Sequence, residues 1–321
     1  MICSQFLIST AMKKNLAPFI TLFALAAICA IVSPDFRNPH NLMNIARQVS
    51  YSGLLALGMT IVIAGGGIDL SVGSLLALSG VFGLQAMNAL PPEMAPNCAF
   101  LVMAAVAILT GLCGGAINGA LVNYGKIPPF IATLGTFSIF RSIAVYRADA
   151  GLVQSSNVVL NGISRALGGA LPLVVLVAVA AILFVVLRFT KFGWRISAIG
   201  ANEKAAVYAA VNVKFVRFGS YLLVGLLCGI ASILLASRLQ SISSTGAGNA
   251  YELDAIATVI IGGTPMTGGR ASIWGTLAGV LILGIIANVL DLWSISANLQ
   301  GTVKGLIIIM AVLLQYRRSH S

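Results

Sequence analysis

Charge is what this chain has least of: 8% of its residues are Asp, Glu, Lys or Arg, against about 25% in a soluble domain. Acids are scarcer than bases, 8 against 19, and there are only 2 histidines in 321 residues. So little charged surface cannot cover a body of this size in water, which excludes an ordinary globular protein. The shortage of histidine argues against a serine hydrolase, because His40 and His320 fall in a loop and in the tail. Five cysteines, Cys3, Cys29, Cys98, Cys113 and Cys228, form no C-x-x-C pair and have no histidine nearby, so they read as small core residues. Neither G-x-x-x-x-G-K-[ST] nor G-x-G-x-x-G with a following acid occurs, so the chain itself binds no ATP. What it has is apolar surface: 59% hydrophobic residues and a mean hydropathy of +1.00. Its solvent is the bilayer.

An apolar run from Leu16 to Val32 follows Lys13 and Lys14 and is just long enough, at about 1.5 Å per residue, to cross the hydrocarbon. It reads as an uncleaved anchor rather than a signal peptide, because no small-x-small cleavage site is clear and more spans follow. Met12 is a second candidate start. Further apolar stretches lie near 51–64, 71–90, 98–122, 128–146, 171–188, 218–237, 254–263, 272–290 and 299–315. The expected fold is therefore an all-α polytopic membrane protein of about ten transmembrane helices, two of them short or broken.

The charges orient it. The segment from Arg188 to Arg217 carries Arg188, Lys191, Arg195, Lys204, Lys214 and Arg217 against one acid, Glu203, which assigns it to the cytoplasm. Counting alternately from there places Lys13-Lys14, the turn at 123–126, Arg270 and the Arg317-Arg318 tail inside, with both termini cytoplasmic. Segments 89–97 and 239–253 contain no Lys or Arg and fall outside. Arg37, Arg47, Arg147 and Arg165 are exceptions on the outer side. The net charge of +11 is thus mainly topology, and no basic, aromatic-bearing soluble face exists that would suit nucleic acid.

Two glycine-rich stretches interrupt this landscape, at 61–74 (IVIAGGGIDLSVGS) and at 259–272 (VIIGGTPMTGGRAS). Each ends one apolar run and opens another. Backbone released from a helix at membrane depth must be buried in protein or line a polar cavity. Two such breaks in corresponding places, early and late, suit a transporter built from two pseudo-symmetric repeats. Tight turns at the membrane edge are the alternative.

Four blocks carry a resemblance: Gly58–Ser74; Ile127-Pro-Pro-Phe-Ile-Ala-Thr-Leu-Gly135; Ala198-Ile-Gly-Ala-Asn-Glu-Lys-Ala-Ala206; and Tyr251-Glu-Leu-Asp-Ala-Ile-Ala257 leading into Gly262-Gly-Thr264 and Gly268-Gly269. In type and order they resemble the permease subunit of ribose-type bacterial ABC importers, in the branched-chain amino acid and simple-sugar permease superfamily. The resemblance implies a single transmembrane permease domain over 1–321 in the bacterial inner membrane. It implies a second permease subunit, identical or a paralogue, and a fold similar in kind to the cobalamin importer permease. It also implies two cytoplasmic ATPase subunits and a periplasmic sugar-binding protein; ATP and Mg belong to the ATPases, and this chain needs no cofactor. On that pattern the loop 188–217 holds the coupling helix, with Gly200, Asn202, Glu203, Ala205 and Ala206 facing the ATPase. Its own residues support a short helix, since Asn202 can cap it and Glu203 lies where the helix dipole favours an acid. The alternative is a basic loop resting on anionic headgroups. Ala209-Ala210-Val211 departs from the expected Ala-Gly followed by a β-branched residue.

For the translocation pathway the candidates are Asp69, Ser71, Asn118, Thr133, Thr136 and Asn288. Asp69 is ionisable at membrane depth, a functional sign by default, but its carboxylate can also cap the next helix through the amides of Ser71 and Val72. Asn118 and Asn288 suit sugar hydroxyls or bonding between helices. Glu252 and Asp254 open a helix near the outer face, where they can anchor the N-terminus or dock basic residues of a binding protein. The lack of a buried charge array agrees with a neutral cargo. Two other classes compete: an ion-driven secondary transporter, which broken helices also suit, and an intramembrane aspartyl protease, if Asp69 and Asp254 pair.

Overall fold

The computed structural model describes residues 2–320, with side chains placed from Leu16 onward except at some positions of the last helix. Met1, one of the two candidate starts, lies outside the described residues, as do the side chains of Cys3, Met12, Lys13, Lys14, Arg317, Arg318 and His320.

The chain folds almost wholly into helices. In order they are α1 (Ile2–Val32), α2 (Pro39–Ala64), α3 (Val72–Asn88), α4 (Pro96–Asn123), α5 (Pro129–Arg147), α6 (Val158–Arg165), α7 (Leu171–Phe189), α8 (Lys191–Ala201), α9 (Glu203–Tyr208), α10 (Val213–Leu239), α11 (Tyr251–Ile261), α12 (Ile273–Leu292) and α13 (Ala297–His320). Proline marks the starts: Pro39, Pro96, Pro129 and Pro172 sit in the first turns of α2, α4, α5 and α7. There the missing amide would have no intrahelical partner, and the fixed φ already suits the helix. Two short strands, β1 (Leu152–Gln154) and β2 (Ser241–Ser243), pair antiparallel with Val153 opposite Ile242. Three residues each, they carry no alternation long enough to read from sequence, and neither does the short helix α6.

Among the described residues, α2, α4, α5, α7, α10 and α12 are long and apolar enough to cross a membrane, while α3 and the Leu16–Val32 part of α1 are shorter apolar helices. Each apolar stretch read from sequence corresponds to one helix, with one or two residues of overhang at the ends of α3, α5, α11 and α12. α2 begins well before its apolar run, because the polar residues 39–50 extend it beyond the hydrophobic part.

The centre of the bundle is α2 and α10. Every residue of α2 from Gly53 to Ala64 is buried, so the helix is apolar all round, as a helix enclosed by other helices must be. α10 packs against α2, α3 and α4. Its approach to α4 is backbone on backbone: a Cβ at Gly225 would collide with the Gly111 carbonyl oxygen, one at Gly111 with the Gly225 oxygen, and one at Gly115 with the Tyr221 oxygen. Small residues at spacing four on both helices permit this contact, in a setting where association rests on packing. In α4, α5 and α7 fewer than a third of the residues of the apolar stretch are buried.

Candidate functional site

The two glycine-rich breaks end their helices in the same way. At the end of α2, Gly66 N–H donates to the Ile63 carbonyl (2.9 Å) and Gly67 N–H to the Val62 carbonyl (2.9 Å). At the end of α11, Gly263 donates to Ile260 (2.9 Å) and Thr264 to Val259 (3.1 Å). Gly66 (φ +76°) and Gly263 (φ +88°) both take the left-handed conformation this Schellman termination needs. The following helices then start from serines, Ser71 before α3 and Ser272 before α12. The two helix ends are alike, but only Ser272 caps its helix through the side chain, accepting from Gly275 N–H; Ser71 makes no such cap bond.

The breaks meet each other and the loop 188–217. Gly269 N–H donates to the Ala64 carbonyl (2.9 Å), joining the second break to the end of α2. Gly200, in the last turn of α8, lies against that bond, where a Cβ would collide with the Ala64 oxygen and the Gly269 nitrogen. A Cβ on Gly268 would come within 3.0 Å of the Gly200 Cα and 3.1 Å of the Gly66 nitrogen. Three chain segments thus touch through main-chain atoms immediately before α9. Asn202 caps α9 by accepting from Ala205 N–H (3.0 Å), and Ala206 is buried against the body. Glu203 Oε2 accepts from Arg217 Nη2 (2.7 Å), while Arg217 Nε donates to the Gly65 carbonyl (3.1 Å). One guanidinium therefore clamps α9 to the first break. Outward, α9 presents Lys204, Ala205, Val207 (55% exposed) and Tyr208 (90% exposed). Beside it opens a cleft of about 720 Å³, bounded by Pro128, Pro129, Glu203, Val207, Lys214 and Arg217.

Four of the six pathway candidates form a single buried network. Asp69 Oδ1 accepts from the Ser71 amide (2.9 Å) and hydroxyl (2.7 Å). Asn118 Nδ2 donates to Asp69 Oδ2 (3.2 Å) and to Ser71 Oγ (2.7 Å), and its Oδ1 accepts from Thr136 Oγ1 (2.6 Å). Asp69, Ser71 and Asn118 are fully buried and Thr136 nearly so. The network ties the start of α3 to α4 and α5, and the carboxylate is compensated by donors, as a charge in a low-dielectric interior must be. Of the two amides expected to cap onto Asp69, the structure uses Ser71. Thr133 stays local, its hydroxyl donating to the Pro129 carbonyl (2.8 Å). Asn288 is elsewhere, in a reciprocal pair with Asn41 (2.9 and 2.7 Å) that joins α12 to α2.

Glu252 and Asp254 have inward surroundings. Glu252 Oε2 is buried without a hydrogen-bond partner among the described residues, against the first turn of α3 at Gly73. Asp254 Oδ2 holds Lys304 Nζ of α13 in an ion pair of 2.8 Å. Asp69 and Asp254 therefore belong to separate networks, with no shared proton of the kind an aspartyl dyad requires.

Similarity to known proteins decides the family. Residues 41–312 match the model of the branched-chain amino acid transport system / permease component. The chain belongs to this permease family. It is 43% identical over 311 residues to a ribose import permease of Bacillus subtilis (strain 168), covering 95% of this chain and 94% of that protein. To the ribose import permeases of Haemophilus influenzae and Escherichia coli K12 it is 38% identical, covering 92% and 93% of this chain and 91% and 92% of those proteins. No solved structure matches it. The permease is thus a transport component rather than an enzyme, an all-α polytopic membrane protein of the sugar-transport type.

Several residues that build its sites carry no mark in the sequence. Arg217 reads there only as topological charge, Asn41 sits in a polar run outside the apolar stretches, and Lys304 and Tyr221 carry no motif. Tyr221 donates its hydroxyl to the Ile68 carbonyl (3.1 Å), beside Asp69. Only their distant partners, brought close by the bundle, distinguish them. Among the described residues of the permease, no group of three His, Cys, Asp or Glu stands close enough to hold a metal.

Proposed function

We propose that this permease is the membrane subunit of an ABC importer for a ribose-like monosaccharide, working in the bacterial inner membrane with about ten spans in two repeats and cytoplasmic termini. Its partners are a second permease subunit, two ATPase subunits that bind ATP and Mg, and a periplasmic sugar-binding protein. The observation that carries this reading is the main-chain junction of Gly200 with Ala64 and Gly269. α9 is the coupling helix, with Asn202, Glu203 and Ala205 toward the ATPase and Gly200 and Ala206 toward the body. A displacement of α9 reaches both breaks at once, directly at Gly200 and through Arg217 at Gly65.

The cargo path follows from the breaks. α3 and α12 start where the breaks end, so moving the junction moves both helix starts together. The network of Asp69, Ser71, Asn118 and Thr136, with Thr133 one turn before Thr136, forms the rigid wall of the path rather than a tight sugar site. Asn288 holds the other repeat through Asn41. A path of this kind needs no strong grip, because an importer must empty its site when the ATPases reset, and high affinity belongs to the binding protein. Docking of that protein through Glu252 and Asp254 would require Asp254 to leave Lys304.

The test is reconstitution in liposomes. With ATPase subunits, binding protein and internal ATP, radiolabelled ribose should accumulate; the permease alone under an ion gradient should accumulate none. Uptake by the permease alone would replace this reading with that of an ion-driven transporter.

A further inference from the structure

At the end of the bundle opposite α9, three arginines surround one pocket. Arg47 on α2, Arg165 at the end of α6 and Arg238 in the last turn of α10 border a cavity of about 380 Å³, together with Tyr51 and the turn at Gly168-Gly169. The sequence makes the cluster unexpected. Arg47 and Arg165 are among the few basic residues on the side that should lack them by the positive-inside rule, and the fold gathers both beside Arg238.

The site is built. Arg47 Nε donates to the Gly169 carbonyl (2.9 Å) and Nη2 to the Gly168 carbonyl (3.1 Å). A Cβ on Gly169 would collide with that guanidinium, so the turn has a glycine where the arginine lies flat against it. Arg238 stands over the Tyr51 ring, 5.9 Å from its centroid. No acid lines the cavity, and neither Arg165 nor Arg238 has an ion pair among the described residues; the two pairs found there are Arg217–Glu203 and Lys304–Asp254. The Tyr51 side chain, 1% exposed, brings a buried hydroxyl that lies beside the Arg238 guanidinium but has no partner at hydrogen-bond geometry among the described residues. A buried hydroxyl without a partner is costly, and three guanidiniums with no acid among them repel one another. Both penalties vanish if an oxyanion sits among them, and planar guanidinium forks suit phosphate oxygens best.

We propose that this pocket binds a phosphate oxyanion, supplied by the headgroup of an anionic bilayer lipid. The pocket lies at the first turn of α7, where Pro172 lines it. From there α7 runs on with an apolar outward face, Val174, Val177, Ile182 and Val185 being about half exposed or more. A helix with that face toward acyl chains places its first turn at headgroup depth. A lipid can then lay its tails along α7 with its phosphate among the arginines. A soluble anion of the same chemistry shares only the second half of this fit.

Native mass spectrometry of the full-length permease, released from detergent with phosphatidylglycerol or phosphatidylcholine, reads the site directly. Phosphatidylglycerol should be retained at least about five-fold over phosphatidylcholine. Arg165→Gln combined with Arg238→Gln should abolish that preference, and Tyr51→Phe should weaken it. Because Arg165 is exposed, Arg165→Gln alone serves as the variant free of folding defects and should lower the preference with an unchanged melting temperature in lipid-free detergent. Sodium phosphate at millimolar concentration is the second arm: failure to displace phosphatidylglycerol supports the lipid as source, whereas full displacement at that concentration overturns the lipid assignment and leaves a soluble oxyanion site. Equal retention of both lipids overturns the proposal, as does a preference that survives the double variant. Loss of binding-protein docking in the double variant with the lipid preference intact would assign the arginines to an acidic protein partner and overturn it as well.

Discussion

Ala210 shows how much one missing or extra methyl group decides. It stands at φ +56°, just past the end of α9, with its N–H donating to the Val207 carbonyl (3.0 Å) and Val211 N–H donating to the Ala206 carbonyl (3.0 Å). This is the same Schellman termination that ends α2 and α11, but with alanine in the left-handed position instead of glycine. A Cβ there costs about 1–2 kcal/mol, partly offset because glycine is freer in the unfolded chain. Ala210→Gly should therefore stabilise α9 by a net of about 1 kcal/mol, read as a higher unfolding midpoint in detergent; an unchanged or lower midpoint would refute the strain. Asn118 is the opposite case, a side chain whose loss leaves others stranded. Asn118→Ala strips Asp69 and Ser71 of a donor inside the bundle and leaves the Thr136 hydroxyl only the more distant Thr133 carbonyl (3.2 Å), and should lower stability by about 2–3 kcal/mol in the same titration. The departure at Ala209-Ala210-Val211 was visible in the sequence, because a resemblance states which backbone positions want glycine. The partners of Asn118 were not, since hydrogen bonds across three helices leave no spacing in a chain.

At the level of elements, the apolar runs were legible because a helix in lipid must satisfy its own backbone and therefore announces its length in hydrophobic residues. The breaks were legible for the complementary reason, that glycines cluster where a helix gives up those bonds. What could not be read was contact between elements. Nothing in residues 107–115 or 221–229 states that α4 and α10 touch through their backbones, because small residues at spacing four are common in apolar helices whether or not they meet. Having the contact in hand, one can predict its cost: Gly225→Val drives two methyls into the Gly111 carbonyl and should destabilise the bundle by more than about 3 kcal/mol. Valine at Gly135, which has nothing within 4 Å of its absent Cβ, is the control and should fold normally. Similar loss from both variants would show that the effect comes from glycine chemistry and not from the contact.

For the whole molecule, the fold separates two ends of different character. One end carries α9, its clamp and an exposed aromatic tip; the other carries an arginine pocket. Reversing the charge at the first end tests the division. Glu203→Lys breaks the pair with Arg217, and an exposed pair of this kind contributes only about 0–1 kcal/mol, so insertion and folding should persist while co-purification of the ATPase subunit falls several-fold. Undiminished co-purification would remove α9 from the coupling role. The junction behind α9 sets how any push is passed on. Contacts between side chains give way by changing rotamer, and some of a displacement is lost in that adjustment. Where Gly200 meets Ala64 and Gly269 there is only main chain, which has no rotamers to change. If α9 couples to an ATPase, the permease acts at this point as a keyed shaft rather than a spring: a stroke applied at α9 would arrive at both glycine-rich breaks with the same amplitude and in phase.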